Sequence, residues 1–332
     1  MTIRVGINGF GRIGRNVFRA ARAAGADIDF VAVNDLGDLA TMAHLLKYDS
    51  AQGNLDAEVV VGENTITVDG DEIKVTSERN PQDLRWGDLG VDVVVESTGI
   101  FKSRDQAAMH LEAGASRVLI SAPSPDADLS VVFGYNHTDF DPDKHKVLSN
   151  ASCTTNCFVP MVKVLEDAFG LDKGLMTTIH AYTGTQNLVD GPHKDLRRAR
   201  GAATNLIPTS TGSAKATQAV MDMQGQLDAI AVRVPLAAGS LTDFVANVER
   251  DVTAEEVNAA FAAAASDGPL AHVLDYTEEP LVSSDIVGSS ASCIFDSGLT
   301  RCIGNMVKIA GWYDNETGYS NRLVDLILHT AG

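Results

Sequence analysis

Ile3-Arg4-Val5-Gly6-Ile7-Asn8-Gly9-Phe10-Gly11-Arg12-Ile13-Gly14 is the stretch that decides the fold of this chain. Its first six residues read as a buried strand, and residues 13–24 as a helix that stops at Gly25. Between the two stands G-x-G-x-x-G, and Asp35 closes the next strand, 21 residues beyond Gly14. A glycine pattern by itself says little. Here Gly9, Gly11 and Gly14 follow a strand, open a helix and are matched by an acidic residue at the expected distance. That context points to a dinucleotide whose pyrophosphate lies on the helix N-terminus. Asp35 would accept hydrogen bonds from the ribose hydroxyls and repel a 2′-phosphate, which favours NAD over NADP.

Outward from this stretch the first half alternates strand and helix. Strands are expected at 28–34, 91–97, 117–121 and 130–133, with helices at 39–46 and 103–113. Residues 58–61, 65–68 and 72–75 read as short antiparallel strands turned at Gly62 and Gly70. This alternation predicts a doubly wound parallel sheet. After Cys157 the pattern changes to long strands at 175–181, 230–234, 240–249, 289–296 and 305–313, with helices near 214–221 and 254–265. That half reads as an antiparallel sheet with helices on one face. Residues 182–207 form a long aperiodic segment, and such segments are usually functional or interfacial. A terminal helix over 319–330 carries an apolar stripe of Leu323, Val324, Ile327 and Leu328.

At 332 residues the chain exceeds the size of one ordinary core, so two domains are expected. Hydrophobic residues make up 45% and charged residues 21%, a balance typical of globular enzymes. No apolar run reaches the ~18 residues of a membrane span, and the N-terminus enters a strand without a signal-like region. A cytoplasmic protein is the expectation. The formal net charge of −18 argues against nucleic acid as a main partner, since phosphate repels such a surface. Its acidic residues are dispersed, as a well-solvated surface or a source rich in salt would have them. Four cysteines are too sparse for a disulfide framework. Cys153 and Cys157 lie one helical turn apart, but no further paired ligands accompany them, so no metal site is expected.

The richest chemistry lies in Ser152-Cys153-Thr154-Thr155-Asn156-Cys157, ahead of an amphipathic run. A cysteine at a helix N-terminus is biased toward thiolate, with a pKa that can fall to ~3.5–7.5. His180 closes an apolar strand and is a candidate base for Cys153. Arg233 interrupts the apolar strand 229–235, where a guanidinium is costly unless it meets an anion. Thr209-Ser210-Thr211-Gly212-Ser213-Ala214-Lys215 reads as a phosphate-cradling turn or a plain helix cap. Residues 193–200 form a basic island in an acidic chain.

These residues bring the chain into register with a known family. Ile7–Arg15 in full, Lys47-Tyr48-Asp49-Ser50, Ser97-Thr98-Gly99, Ala151–Cys157, His193-Lys194-Asp195, Thr211–Ala216 and Trp312-Tyr313-Asp314-Asn315-Glu316 resemble phosphorylating glyceraldehyde-3-phosphate dehydrogenase along essentially the whole length. The resemblance implies an α/β plus α+β architecture. A Rossmann-type domain would cover residues 1–151 and a mostly antiparallel catalytic domain residues 152–315. The helix 316–332 would pack back onto the first domain. Cys153 is then the nucleophile, and His180 its base and ion-pair partner. Thr183 and Arg233, aided by Arg198, match the site for the substrate's 3-phosphate, and Ser152, Thr154, Thr211 and Gly212 the site for inorganic phosphate. Alongside the glycines, Arg12, Ile13, Asp35, Arg79, Ser121, Asn315 and Tyr319 match contacts to NAD. The loop after His180 resembles one that reaches a neighbouring subunit in a homotetramer.

The chain departs from the family in one place. Gly191-Pro192 stands where many NAD-specific members carry Leu-Pro, while Pro192 and Asp35 still point to NAD. Erythrose-4-phosphate dehydrogenase shares the scaffold, although Thr211-Gly212 with Arg233 favours the phosphorolytic enzyme. Aspartate-semialdehyde dehydrogenase lacks Ser-Cys-Thr-Thr-Asn. A non-catalytic NAD-binding regulatory protein would not need Cys153, His180 and Asn315 together.

Overall fold

The computed structural model describes residues 2–223 and 225–331. The first residue of the domain expected over 1–151 and the last of the helix expected over 316–332 lie outside the described residues. Two compact units divide the chain. One comprises Met1–Val131, His137–Ala151 and Ser320–Gly332, the other Val132–Asn136 and Ser152–Tyr319.

The first unit is built on nine strands: β1 (Ile3–Asn8), β2 (Ile28–Asn34), β3 (Val59–Val61), β4 (Thr65–Val68), β5 (Asp71–Thr76), β6 (Val93–Glu96), β7 (Arg117–Ile120), β8 (Leu129–Ser130) and β9 (Val147–Ser149). Their order is β3-β4-β5-β2-β1-β6-β7-β9-β8. Every pairing from β5 to β8 is parallel, and β3, β4 and β5 pair antiparallel at one end. Valines and isoleucines with two buried faces give the central strands their continuous apolar runs: Val5 and Ile7 in β1, Val93, Val94 and Val95 in β6. Helices α1 (Arg12–Ala23), α2 (Leu39–Lys47) and α3 (Arg104–Glu112) belong to this unit. Chain order reverses between β1 and β6, and this switch point is where an open α/β sheet leaves a crevice at its carboxyl ends.

The second unit carries β10 (Leu171–Ala181), β11 (Ile207–Ser210), β12 (Leu227–Val234), β13 (Ser240–Val248), β14 (Leu274–Thr277), β15 (Cys293–Asp296), β16 (Arg301–Ile303) and β17 (Met306–Tyr313). They run β11-β12-β10-β13-β17-β15-β14, with β16 on β17. Five of the seven pairings are antiparallel; β10–β12 and β14–β15 are parallel. Helix α4 (Cys153–Phe169) brings Phe158, Met161 and Leu165 into the core with Phe244, Phe295 and Ile309. Phe158 meets Phe244 edge-on at 4.8 Å. From α6 (Ala254–Ser266), Phe261 stacks on Phe295 at 3.8 Å. The remaining helices are α5 (Ser213–Val220), α7 (Ser283–Ile286) and α8 (Thr317–Ala331).

Several boundaries differ from the periodicity. The strand expected over 289–296 begins only at Cys293, and β9 and β14 carry no separate expectation. Three or four residues are too few to show a period, and β9 and β14 are strands because a distant neighbour offers a parallel ladder.

Candidate active site

At the switch point a cleft of about 420 Å³ is lined by Gly9, Gly11, Asp35, Arg79, Thr98 and their neighbours. Gly9 holds φ at +93°, and a Cβ on Gly14 would lie 2.3 Å from the Gly9 carbonyl oxygen, so both positions need glycine. Gly11 is different: a Cβ there would meet nothing within 4 Å. No side chain caps α1 at Gly11. Open space beside an uncapped helix N-terminus is the cradle an anionic pyrophosphate requires. Asp35 accepts from Phe10 N at 2.7 Å and Gly37 N at 2.9 Å, which ties the end of β2 to the glycine turn. Each carboxylate oxygen keeps a lone pair for a ribose hydroxyl. These residues fit NAD.

Arg12 spends its guanidinium on Asp49. Burial raises the Asp49 carboxyl, but hydrogen bonds from Gln52, Arg12 and Ala51 outweigh it and hold the pKa below the ordinary value. Arg79 is exposed at the cleft, Ile13 is half-buried, and Ser121 donates its backbone N–H to Glu96 O at 2.9 Å.

Beneath the cleft runs a buried polar network without a forewarning in the glycine motif. Trp86 Nε1 donates to His110 Nδ1 at 3.0 Å, which makes Nδ1 the acceptor and puts the ring proton on Nε2. Nε2 then faces Glu96 Oε2 at 3.0 Å. Asn8 Nδ2 donates to the same carboxylate at 2.6 Å, and Asn34 Nδ2 donates to Asn8 Oδ1 at 2.8 Å. Glu96 also accepts from Thr98 N at 2.9 Å. The ends of β1, β2 and β6 are thereby locked together under the ligand space. The signal in the sequence was Glu96 closing an all-valine run, the same anomaly that drew attention to Arg233.

In the second unit, Ser152 caps α4 by accepting from Thr155 N at 3.0 Å, and Cys153 is the first helical residue. Its Sγ lies 3.4 Å from His180 Nε2. His180 is buried near the end of β10, and the β10–β12 register sets it directly beside Arg233. The Ala181 carbonyl lies 2.6 Å from His180 Nδ1 and accepts from Arg233 Nη1 at 3.0 Å. Arg233 Nη1 also lies 2.5 Å from Nδ1, so Nδ1 is turned to this carbonyl–guanidinium pair and Nε2 faces the thiol. Tyr313 Oη bridges Thr154 Oγ1 at 2.9 Å and Thr178 Oγ1 at 2.8 Å, bracing the helix against the strand.

Burial dominates the electrostatics of the pair. Burial pushes the Cys153 thiol above its ordinary value, against the pull of Arg233 and of hydrogen bonds from Thr154. Burial, then the Arg233 charge, bring His180 down to about 3. Desolvation thus opposes the helix end, and both shifts run toward the neutral forms of the pair.

Arg233 is itself lowered by desolvation, and its buried Nε has no hydrogen-bond partner among the described residues, which leaves it a donor for an anion. Arg198 is steadied by Thr209 Oγ1 at 2.9 Å, which in turn donates to Asp195 at 2.5 Å. Its charge is felt by both His180 and Arg233, so the basic island contributes to this site. Thr211 Oγ1 accepts from Ser213 N at 3.2 Å, and Gly212 caps α5 without a side-chain bond and with open space at its Cα. Thr183 shares its hydroxyl with Thr185 at 3.0 Å. No direct bond joins Thr183, Thr211 or Gly212 to the Cys153–His180 pair among the described residues. Asn315 and Tyr319 are both buried. Cys157 turns away from Cys153 and donates to the Gly311 carbonyl at 3.7 Å. Among the described residues no cluster of three or more acidic, His or Cys side chains could hold a metal ion, and no helix is long and apolar enough to cross a membrane.

A nucleotide cradle in one unit and a cysteine–histidine pair near half-buried arginines in the other define a pyridine-nucleotide dehydrogenase that works through a thiol. Residues 3–104 match the family model for the NAD binding domain of glyceraldehyde 3-phosphate dehydrogenase, and residues 152–315 that for its C-terminal domain. The chain belongs to the glyceraldehyde-3-phosphate dehydrogenase family and is an NAD-dependent enzyme. It is 63% identical to a glyceraldehyde-3-phosphate dehydrogenase of Streptomyces coelicolor and 62% identical to glyceraldehyde-3-phosphate dehydrogenase 2 of Streptomyces avermitilis, each alignment covering 98% of both chains. It is 56% identical to the Geobacillus stearothermophilus enzyme of the same name, over 100% of this chain and 99% of that one.

Proposed function

We propose that this chain converts D-glyceraldehyde 3-phosphate and inorganic phosphate to 1,3-bisphosphoglycerate through a thioester on Cys153. The observation that carries this reading is the Cys153 Sγ, 3.4 Å from His180 Nε2 and within reach of the Arg233 charge. The thiol gives its proton to Nε2 as the sulfur adds to the aldehyde carbon, and His180 returns that proton to the alkoxide, completing a hemithioacetal. NAD, when bound, supplies the hydride acceptor. Neutral again, His180 takes the hydroxyl proton as the carbon is oxidised, leaving the thioester. Inorganic phosphate attacks the acyl carbon, the acyl phosphate departs, and sulfur leaves as thiolate and recovers its proton from His180. A thioester keeps the acyl group activated for that attack.

In this reading Arg233 and Thr183, with Arg198, hold the 3-phosphate, while Ser152, Thr154, Thr211 and Gly212 receive the attacking phosphate. Gly9, Gly11, Arg12, Ile13, Gly14, Asp35, Arg79, Ser121 and Tyr319 hold NAD, and Asn315 donates its amide to the nicotinamide carboxamide. The cofactor domain takes residues 1–151 with the helix 316–332, and the catalytic domain residues 152–315. The protein works as a cytoplasmic homotetramer. Supporting assembly, Leu188, Val189, Leu196 and Leu206 are strongly exposed within the long segment after β10, as are Leu175 and Ile230 on β10 and β12.

Withholding phosphate tests the intermediate. Incubated with aldehyde and NAD, the enzyme should carry an acyl group on Cys153 in peptide mass spectra, cleared when phosphate is added. An adduct on any other residue, or none, would overturn the scheme.

A further inference from the structure

Ser240 opens β13, the strand that lies between β10 and β17, and its side chain is fully buried. Its Oγ accepts from Ala181 N at 3.1 Å and lies 3.0 Å from Asn315 Oδ1. A backbone N–H can only donate, so Ser240 gives one lone pair to Ala181 and must place its own proton on another group. Shut off from bulk solvent, an unpaired hydroxyl proton here would be costly. The group in reach is Asn315. The two ends of a carboxamide are nearly alike in shape, and the polarity of the neighbour decides which end turns inward. A donating hydroxyl demands the carbonyl. The backbone N–H of Ala181 therefore dictates, through Ser240, that Asn315 turns Oδ1 inward and presents Nδ2 as a donor.

Ala181 is also the residue whose carbonyl meets His180 Nδ1 and Arg233 Nη1. Ser240 thus stands one residue from the base on one side and one hydrogen bond from Asn315 on the other.

We propose that Ser240 is a positioning residue of the cofactor site, setting the polarity of the Asn315 amide so that Nδ2 donates to the carboxamide oxygen of nicotinamide. The proposal rests on the reading of Asn315 given above. Only the nicotinamide half of the dinucleotide should feel the loss of Ser240. ADP-ribose, which lacks the nicotinamide ring, should not.

Calorimetric titration of wild type, Ser240→Ala, Asn315→Ala and the double variant with NAD and with ADP-ribose tests this. Ser240→Ala should weaken NAD on the order of tenfold, the equivalent of one lost hydrogen bond. ADP-ribose affinity should stay within about twofold, and the double variant should bind NAD no worse than Asn315→Ala alone. Equal losses for both ligands, no loss for either, or additive losses in the double variant would refute the positioning role. An Asn315→Ala variant that binds NAD like wild type would instead overturn the reading of Asn315. Should Ser240→Ala not fold, Ser240→Cys keeps the shape with weaker hydrogen bonding and faces the same two ligands and the same criteria.

Discussion

At the scale of single residues, the site depends on how strongly its surroundings desolvate Cys153 and His180. His180 is held to about 3, against 6.5 for an ordinary imidazole, first by burial and then by Arg233. In the unfolded chain the ring takes up a proton once the pH drops below about 6.5, while in the folded chain it stays neutral to about 3. Its contribution to stability is therefore complete above pH 6.5 and is lost as the pH falls toward 3, by roughly 1.4 kcal/mol per unit. Urea denaturation of wild type and His180→Gln across this range should show the wild type losing stability more steeply with acid. Parallel curves would mean that the imidazole is not buried neutral. The residue types were legible in the sequence, because a cysteine before an amphipathic run and a charge in an apolar strand are local anomalies. Their pKa directions were not, since they follow from burial and from the Arg233 charge, which distant parts of the chain supply.

At the scale of elements, the glycine turn separates two roles that one motif had merged. Gly14 is a packing glycine, pressed against the Gly9 carbonyl, whereas Gly11 borders open space. Gly11→Ala should fold with an unchanged melting temperature and lose NAD affinity on the order of tenfold or more, because the methyl group enters the pyrophosphate space. Gly14→Ala should lower the melting temperature as well. Thermal melts alongside NAD titrations decide it, and a Gly11→Ala variant with wild-type affinity would remove that glycine from the cofactor site. Long elements were readable from their period: β1, α1, β13 and α4 lie where the apolar pattern puts them. The short strands β9 and β14 were not. The buried set Asn8, Asn34, Trp86, Glu96 and His110 also escaped, apart from the hint in Glu96. Its members come from five separate stretches of chain, and only the fold brings them together.

At the scale of the whole molecule, the exposed leucines after β10 have no purpose in a lone chain. Leu196 is 82% exposed and Leu206 69%, far from the usual state of such side chains. Light scattering should return the mass of four chains, and charged replacements at Leu196 and Leu206 should shift it downward. A stable monomer would contradict the assembly. The fold class was legible as a change from regular βαβ alternation to long strands near Cys153. The parallel pairing of β10 with β12, which sets His180 against Arg233, was not legible, because residues 182–226 separate the end of one strand from the start of the other.

The central claim is that Cys153 carries an acyl group that only phosphate releases. Steady-state NADH formation from D-glyceraldehyde 3-phosphate, with and without inorganic phosphate, in wild type and Cys153→Ser, tests it most directly. Turnover should require phosphate, and the serine variant should fall on the order of 10⁴-fold. Sustained turnover without phosphate, or activity that survives loss of the thiol, would contradict it.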